Sequence, residues 1–242
     1  MMEKGGQLKE RVALVTGGTR GIGAAIAKEL YGLGATVIIT GTKHDYIPLD
    51  CYQYIHADFS DKKSINEFAD QVLDKNIDIL INNAGVNKIG PISELSLDDF
   101  ELVQRVNVTA PFIICQSVLT GMRTRGWGRI VNISSIWGKI SKAYRVPYSA
   151  SKFAIDGLTA AISAEVASEG VLVNSVAPGF IDTELTRKVL GVDGMNKIAL
   201  QVPAKRVGTT EEVAKFVAWL ASPDNTYISG QNIAIDGGFT RV

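Results

Sequence analysis

The sequence predicts an α/β domain built on a single doubly wound parallel sheet, with helices on both faces. Short runs rich in β-branched residues alternate with longer stretches of helical periodicity along the 242 residues. Most of these runs are apolar throughout, as is typical of strands covered on both faces of a parallel sheet. No Pro- or Ser-rich linker, internal repeat or low-complexity tract divides the chain. We therefore expect one domain over residues 1–242.

Composition and charge narrow the class of protein. Apolar residues make up 46% of the chain and charged residues 21%, which suffices for a sizeable core. The 25 basic and 25 acidic residues cancel, so there is no net cationic charge to favour nucleic acid or an anionic membrane. The first residues lack the apolar segment of a secretory signal, and no uninterrupted run of about 18 apolar residues occurs. We expect a cytoplasmic protein that binds neither nucleic acid nor membrane.

The chain begins with a predicted strand, helix and strand. Residues 11–15 (RVALV) form the first apolar run, and residues 36–40 (TVIIT) form the second. Between them, the stretch 21–33 places isoleucines and leucines one helical turn apart on one face. The segment that follows is unusual, because only residues 41–51 separate the second strand from the next strand-like piece, 52–55. These 11 residues barely reach the 10–12 that a crossover with a helix needs, and they include Pro48 and show little helical periodicity, so this crossover is expected to lack a full helix.

The rest of the chain repeats the alternation of helix and strand. The helices and strands are predicted from helical periodicity and apolar β-branched runs respectively. They are helix 63–74, strand 77–81, helix 97–122, strand 128–133, helix 148–168, strand 171–176, helix 211–221 and strand 232–235.

A glycine-rich turn joins the first strand to the first helix. Its glycines would let the backbone turn tightly and approach a pyrophosphate, and the amides of the helix N-terminus would supply partial positive charge. A tight turn with nothing bound is the alternative, but the strand–loop–helix context favours a nucleotide site. The candidate cofactor residues in this turn are Gly17, Thr19, Arg20, Gly21, Ile22 and Gly23.

The end of the second strand bears on which nicotinamide dinucleotide is bound. A carboxylate there would bind the ribose 2′-hydroxyl of NAD and repel a 2′-phosphate. The strand instead continues into Thr42 and Lys43, with no carboxylate before Asp45. Lys43 and Arg20 can donate to a 2′-phosphate, although both could be solvated surface charges. We favour NADP(H), with NAD(H) as the alternative.

Six motifs together resemble the classical short-chain dehydrogenase/reductase family, in the family's order and separations. The resemblance runs from about Leu8 to Arg241 and implies a Rossmann fold, an NAD(P)-dependent enzyme acting on a carbonyl or secondary alcohol, and a homotetramer or dimer. The motifs are the glycine loop Thr16–Gly23, the element Asn82–Gly85, Asn107, Ser135, Tyr148 with Lys152, and the segment Pro178–Thr183.

Tyr148 and Lys152 carry the predicted proton transfer. They lie four residues apart on a predicted helix and so share a face, although an ordinary amphipathic face would show the same spacing. A nearby ammonium would lower the pKa of the phenol from about 10, so that Tyr148 exchanges a proton with the substrate oxygen. Ser135, with Ser134 as the less favoured alternative, could hydrogen-bond the same oxygen. By family analogy, Lys152 also holds the nicotinamide ribose and Asn107 anchors a water in a proton relay.

The resemblance assigns further cofactor contacts. It places Asp58 and the adjacent Phe59 at the adenine, although Asp58 could instead cap a helix. It places Ile181 and Thr183 at the nicotinamide carboxamide. The other residues assigned to the cofactor are Asn83, Ala84 and Gly85 at the ribose, Pro178 and Gly179, and Tyr148 with Lys152.

The overall layout is most similar to 3-oxoacyl-[acyl-carrier-protein] reductases, which implies an acyl-thioester substrate and a substrate loop at about residues 183–202. Glu169, however, stands where such reductases often carry an arginine that meets the carrier protein. Arg145 lies just before the catalytic tyrosine, as in some sugar-acid dehydrogenases, and would suit a small anionic substrate.

Two other functions stay open on the sequence alone. One is a sugar, polyol or keto-sugar-acid dehydrogenase, and the other is a dinucleotide-binding regulator without turnover. An intact set of proton-transfer residues counts against a regulator. No Cys, His or Asp cluster has the spacing of a metal site, so we expect no metal.

Overall fold

The fold is seen in a computed structural model that describes residues 6–48 and 52–242. In these residues, seven parallel strands form one sheet in the order β3-β2-β1-β4-β5-β6-β7. The strands are β1 Val12–Val15, β2 Thr36–Gly41, β3 Gln53–His56, β4 Ile79–Asn82, β5 Gly128–Ile133, β6 Val171–Pro178 and β7 Asn232–Ile235. The direction of winding reverses between β1 and β4, and in such sheets ligands bind at that switch point, beyond the carboxyl ends of the strands.

Helices cover both faces of the sheet, which confirms the predicted doubly wound α/β class. One core contains Ile26 and Val217, from helices on the first face, and the other contains Phe68 and Ile114, from helices on the second. The helices are α1 Gly21–Gly32, α2 Lys62–Val72, α3 Leu97–Gln104, α4 Ala110–Arg125, α5 Val146–Val166, α6 Glu184–Gln201 and α7 Thr210–Leu220.

The link between β2 and β3 contains no helix within residues 42–48, as the sequence predicts; residues 49–51 lie outside the described residues. Strand β3 nevertheless pairs in parallel with β2, with Gly41 opposite His56. Tyrosine rings pack beside the link: the Tyr46 and Tyr54 centroids are 5.0 Å apart. Side-chain contacts therefore hold this link in place, whereas other crossovers between parallel strands usually contain a helix.

The predicted helix 97–122 is divided into two helices by a π-helical turn, Arg105–Thr109. A π turn inserts one extra residue and is frequent at functional sites. Asn107 lies in this turn and is buried. The periodicity of the sequence does not reveal the inserted residue.

Residues 183–202, where we expected a loop, contain helix α6 instead. Thr183 caps the helix by accepting a hydrogen bond from the Thr186 amide at 3.1 Å. Gly191 interrupts α6 with a left-handed φ of 63°. The helical structure was not predicted, because this segment lacks a continuous apolar stripe that would have identified it from sequence; its role at the substrate stays a prediction.

Among the described residues, one helical stretch, Leu97–Arg125, has the length and mean hydropathy (1.2) of a possible membrane span. Ile114, Val118 and Met122 on this stretch are buried in the core between α4 and the sheet. Packing against the sheet therefore accounts for the apolar composition of this stretch.

Candidate active site

A cavity of about 470 Å³ opens beyond the carboxyl ends of β1, β2 and β4, at the switch point of the sheet. Most of the predicted cofactor residues line it, from both the glycine loop and the strand ends. Those residues are Gly17, Thr19, Arg20, Gly21, Ile22, Gly23, Thr42, Asp58, Phe59, Asn83, Ala84, Gly85 and Thr183.

The cavity also has lining residues that the sequence analysis missed. They are Thr40, Gly41, Ala57, Ser60, Val86, Val106 and Glu184. Most of them are direct chain neighbours of predicted residues, so extending each motif by one position would have found them. Val106 adjoins the predicted Asn107 in the π turn, so the same extension would have found it, whereas Thr40 lies two residues before Thr42 and would have been missed.

Six predicted cofactor residues are not among the lining residues found in the described part of the chain. Five of them lie on α5 or at and just after the end of β6, next to the cavity. They are Tyr148, Lys152, Pro178, Gly179 and Ile181. The sixth, Lys43, has an exposed side chain.

The glycine loop is built for close approach of a ligand to the backbone. Gly17 has a left-handed φ of 63°, and a Cβ at Gly23 would collide with the Gly17 carbonyl oxygen and the Asn83 amide nitrogen. The Asn83 side chain donates to the carbonyl oxygens of Thr16 at 2.9 Å and Gly17 at 3.1 Å. The loop is therefore fixed, and its position at the N-terminus of α1 fits the pyrophosphate of a dinucleotide.

Asp58 lines the cavity and accepts hydrogen bonds from the Ser60 amide at 2.9 Å and hydroxyl at 2.7 Å. Helix α2 is capped by Asp61, which accepts from the Lys63 and Ser64 amides at 3.2 and 3.1 Å. The alternative role of Asp58 as the helix N-cap is therefore wrong.

Lys152 and Asn107 border the cavity beside Gly85. A Cβ at Gly85 would lie 3.4 Å from Asn107 Oδ1 and 3.8 Å from Lys152 Nζ. Asn107 donates to the Val86 carbonyl at 2.9 Å and to the Ser151 hydroxyl at 3.0 Å, so both of its amide hydrogens are used. A water held by this side chain would therefore have to donate to Oδ1.

The Lys152 amine is buried, and this burial lowers its pKa to about 8. Its Nζ donates to the Ile133 carbonyl at 2.7 Å and lies 5.5 Å from the centroid of the Tyr148 ring. The structure thus brings Lys152 and Tyr148 together, on the face of α5 that the spacing predicts.

Ser135 lies beside Tyr148, and its side chain acts to lower the pKa of the phenol. The turn that follows Ser135 packs closely on α5, because a Cβ at Gly138 would lie 2.7 Å from the Lys152 carbonyl oxygen. Ser134 instead donates its hydroxyl to that carbonyl at 3.3 Å. Of the two serines, the one favoured by the sequence is therefore adjacent to the tyrosine.

The expected lowering of the Tyr148 pKa by Lys152 is wrong for this structure. Burial raises the pKa of Tyr148 above its usual value, because it removes water from the phenolate. The hydrogen bond from Ser135 and the charge of Arg145 oppose that rise. The Lys152 ammonium is directed at the Ile133 carbonyl, whereas the sequence argument directed it at the phenol.

Three aromatic rings pack together next to Ser135. Trp137, whose amide donates to Ser135 Oγ at 3.2 Å, contacts Phe180 and Phe239 with ring centroids 6.1 and 6.3 Å away. Asp236 accepts from the Gly238 and Thr240 amides at 2.9 and 2.8 Å and so anchors the turn that carries Phe239. We call Trp137, Phe180 and Phe239 the aromatic wall.

The cations that flank the site differ in their surroundings. Lys88 pairs with Asp99 at 2.7 Å, and Lys139 and Lys142 are exposed. Arg145 is half-buried at the start of α5, and this burial lowers its pKa. Within residues 6–48 and 52–242, no group of three or more His, Cys, Asp or Glu side chains could hold a metal ion.

The Glu169 carboxylate, at the position where an arginine was expected, accepts from Arg123 Nε at 2.7 Å. Arg123 also lies 3.6 Å from Glu165. The positive charge of Arg123 is therefore offset locally.

Comparisons with known proteins agree with this arrangement. The family described as "Enoyl-(Acyl carrier protein) reductase" matches residues 17–240. A 3-oxoacyl-[acyl-carrier-protein] reductase of Aquifex aeolicus is 40% identical over an alignment of 244 positions, gaps included, which covers 96% of this chain and 98% of the relative.

Solved structures superpose over nearly the whole chain. A short chain dehydrogenase/reductase family protein has a TM-score of 0.91 and 33% identity, with 98% of this chain and 100% of the other covered. A gluconate 5-dehydrogenase from Burkholderia cenocepacia, in complex with NADP and tartrate, has a TM-score of 0.89 and 30% identity, with 98% and 97% covered.

Proposed function

This chain belongs to the short-chain dehydrogenase/reductase family, and we propose on that basis that it reduces the carbonyl group of a 3-oxoacyl thioester with NADPH. It is an NAD(P)-dependent oxidoreductase that acts on a carbonyl or hydroxyl group. The similarity to an Aquifex aeolicus 3-oxoacyl-[acyl-carrier-protein] reductase supports the thioester substrate. The glycine loop supports a dinucleotide, and Arg20 at the cavity favours a 2′-phosphate.

The observation that carries the proposal is that Ser135 and the buried Lys152 amine both lie beside Tyr148. Two hydroxyl groups at one point can both bond to a single carbonyl oxygen. Tyr148 would donate its proton to that oxygen, and Ser135 would stabilise the negative charge that develops there. Because the pKa of Tyr148 is raised, the phenol stays protonated at neutral pH, and a protonated phenol is the form that reduction needs. Bound NADPH supplies the hydride.

Lys152 would return a proton to Tyr148 after each turnover. Its amine is buried at the cavity edge and has a pKa of about 8, so it can exchange a proton near physiological pH. Asn107 would position the chain of proton carriers from its fixed place in the π turn.

The first experiment measures NADPH oxidation with acetoacetyl thioesters. Tyr148→Phe should lower kcat by at least about 100-fold, because the proton donor is lost, while NADPH binding stays within about twofold. Tyr144→Phe is the matched control, since Tyr144 is in the same segment and is 57% exposed. An unchanged rate in Tyr148→Phe would contradict the catalytic role. Binding of NADPH without turnover of any carbonyl or alcohol would favour the regulator.

A crotonyl thioester distinguishes the reduction of a C=O bond from that of a C=C bond. The family is described by enoyl reduction, whereas the Aquifex aeolicus relative is named for 3-oxoacyl reduction. We expect turnover of the acetoacetyl thioester and none of the crotonyl thioester, because the carbon that would accept the hydride in the crotonyl thioester bears no oxygen for the two hydroxyl groups to bind.

A sugar-acid dehydrogenase is the second candidate, and Arg145 favours it. This half-buried guanidinium is within electrostatic reach of Tyr148, where it could bind a substrate carboxylate. The similar gluconate 5-dehydrogenase was solved with tartrate, a dicarboxylate. Faster turnover of gluconate or keto-gluconates than of acetoacetyl thioesters would decide for this candidate.

We also propose a homotetramer or dimer in the cytoplasm. The 44% exposed Phe112 on α4 and the 47% exposed Phe153 on α5 offer apolar surface for an interface along these helices. Sedimentation of the purified protein should show an assembly larger than a monomer, and Phe112→Glu with Phe153→Glu should dissociate it.

A further inference from the structure

Tyr148 lies in the first turn of α5, where a helix is commonly held by a side-chain cap. The residue before this helix is Arg145, and within residues 6–48 and 52–242 its side chain forms no capping hydrogen bond. The first turn of α5 therefore depends on groups from outside the helix start for its anchorage.

Side chains bind both peptide groups that flank Tyr148. Gln104 Nε2 donates at 3.0 Å to the Pro147 carbonyl, which belongs to the peptide group on the N-terminal side of the tyrosine. Ser151 Oγ donates at 2.7 Å to the Tyr148 carbonyl, in the peptide group on the other side. Because peptide groups are planar, holding both of them fixes the backbone dihedrals of Tyr148 and the direction of its Cα–Cβ bond. We call Gln104 and Ser151 the peptide clamp.

Both members of the peptide clamp are joined to the π turn Arg105–Thr109. Gln104 is the last residue of α3 and directly precedes this turn. Ser151 Oγ accepts from Nδ2 of Asn107, which lies in the turn, at 3.0 Å. Gln104 is half-buried, and Ser151 and Asn107 are buried. The clamp thus connects the start of α5 to the π turn through shielded hydrogen bonds.

The π turn is in turn bonded to segments that line the cavity. Arg105 Nη1 donates to the Ser60 carbonyl at 2.9 Å. The Asn107 carboxamide bonds to the amide and the carbonyl of Val86, each at 2.9 Å. Ser60 and Val86 both line the cavity. The backbone of Tyr148 is therefore tied, by way of the π turn, to the walls proposed to hold the coenzyme.

The amide of Gln104 supplies directionality that packing alone does not require. A methionine of similar shape could fill this half-buried position at the end of α3. The amide adds a donor aimed at one carbonyl, the one next to the proposed proton donor. Such precision matters where a reacting group must be held within about 0.5 Å of its productive position.

We propose that Gln104 is a positioning residue for proton transfer, which holds the backbone of Tyr148, together with Ser151, at the place that the reaction needs. The inference rests on the proposed function and adds a residue that acts on the phenol from outside the cavity. Since Gln104 acts through Tyr148, its loss should slow the reaction only while the phenol is present.

A double-mutant cycle with NADPH and acetoacetyl thioester tests this inference. Gln104→Met keeps the approximate shape of the side chain and removes the donor. It should lower kcat about tenfold, because the proton donor is misplaced, and leave the Kd for NADPH within about twofold. In the Tyr148→Phe background the same substitution should leave the residual kcat within about twofold, since no phenol remains to be positioned. Gln71→Met is the matched control, because Gln71 is exposed on α2.

The other outcomes would overturn the inference. An unchanged kcat in Gln104→Met, with Tyr148→Phe slow, would mean that the clamp does not position the phenol. An equal loss of kcat in both backgrounds would mean that Gln104 supports the site as a whole. Weaker NADPH binding in Gln104→Met would mean that it shapes the coenzyme site. An unchanged rate in Tyr148→Phe alone would overturn the proposed function, and this inference with it.

Discussion

The ammonium of Lys152 donates to the carbonyl of Ile133 at 2.7 Å, so strand β5, which leads to Ser135, also holds the buried amine. Ser135, proposed to stabilise the developing charge, and Lys152, proposed to return a proton to Tyr148, are thereby fixed to one strand end. The hydrogen bond also explains how a buried amine is tolerated, because it gives the ammonium a polar partner.

Lys152 should make stability depend on pH in a defined direction. Its pKa falls from 10.5 to about 8 on folding. Below pH 8 both the folded and the unfolded states carry the charge, and the folded state bears the full cost of burying it. Between pH 8 and 10.5 the unfolded state binds more protons, so stability rises with pH. Between pH 7 and pH 9.5 the free energy of unfolding of the wild type should therefore rise by about 1–2 kcal/mol relative to that of Lys152→Met, which has no amine to titrate.

Urea denaturation at the two pH values measures that difference. Lys139→Met is the control, since Lys139 is exposed, and it should leave the difference from the wild type independent of pH. A constant difference for Lys152→Met would show that the amine keeps its charge throughout this range.

Ser135→Ala should move the alkaline limb of the pH–rate profile upward. The hydrogen bond from Ser135 lowers the pKa of Tyr148, against the rise that burial causes. Its removal should raise this pKa further and lower kcat/KM by about 100-fold, because the developing charge loses a donor. Profiles of kcat/KM for NADPH-dependent reduction show both effects. If Ser135→Ala lowers kcat/KM but the alkaline limb of the profile stays at the same pH, Ser135 does not contact the phenol during turnover.

The aromatic wall should limit the length of the acyl chain. Trp137, Phe180 and Phe239 fill the space next to Ser135, with the Phe180 and Phe239 rings 5.2 Å apart. Phe239→Ala would open room for additional methylenes, each contributing about 0.8 kcal/mol when buried. The ratio of kcat/KM for 3-oxooctanoyl to acetoacetyl thioester should rise about tenfold. Tyr227→Ala, at a position 95% exposed, should leave the ratio unchanged. An unchanged ratio in Phe239→Ala would place the acyl chain elsewhere.

Glu169→Arg should strengthen the interaction with an acidic carrier protein. Glu169 offsets the charge of Arg123 at 2.7 Å, and its reversal would leave two cations side by side. KM for an acetoacetyl carrier-protein thioester should fall several-fold at low salt, whereas KM for the coenzyme A thioester should not change. Glu94→Arg, at an exposed position elsewhere on the surface, controls for net charge. Equal effects of the two variants would remove Glu169 from the carrier-protein surface.

Two strands were predicted most accurately. Strands β5 and β7 begin and end at the predicted residues, Gly128–Ile133 and Asn232–Ile235, because a short run with β-branched residues is typical of a strand. The inserted residue at Asn107 and the helix α6 were not predicted, since each depends on tertiary contacts and weak local periodicity.

The candidate site likewise has parts that the sequence predicted and parts that it did not. Spacing was enough to place Tyr148 and Lys152 on one face, and motif order was enough to bring the glycine loop to Asn83. The direction of the Tyr148 pKa was not predictable, because it depends on how deeply the fold buries the ring. Lys43 was assigned to the cofactor by its position after β2, but the path of the link decides where its side chain points.

The β2–β3 link has a practical consequence for protein engineering. It is held by the hydrogen bond from the Tyr54 hydroxyl to the Lys43 carbonyl and by the stacked rings of His44 and His56, and the described residues 42–48 contribute no helix that packs on the sheet. A replacement link of similar span could be grafted between the two strands without redesigning the interior. The β2–β3 link is therefore a modular part of this chain, open to exchange by loop transplantation.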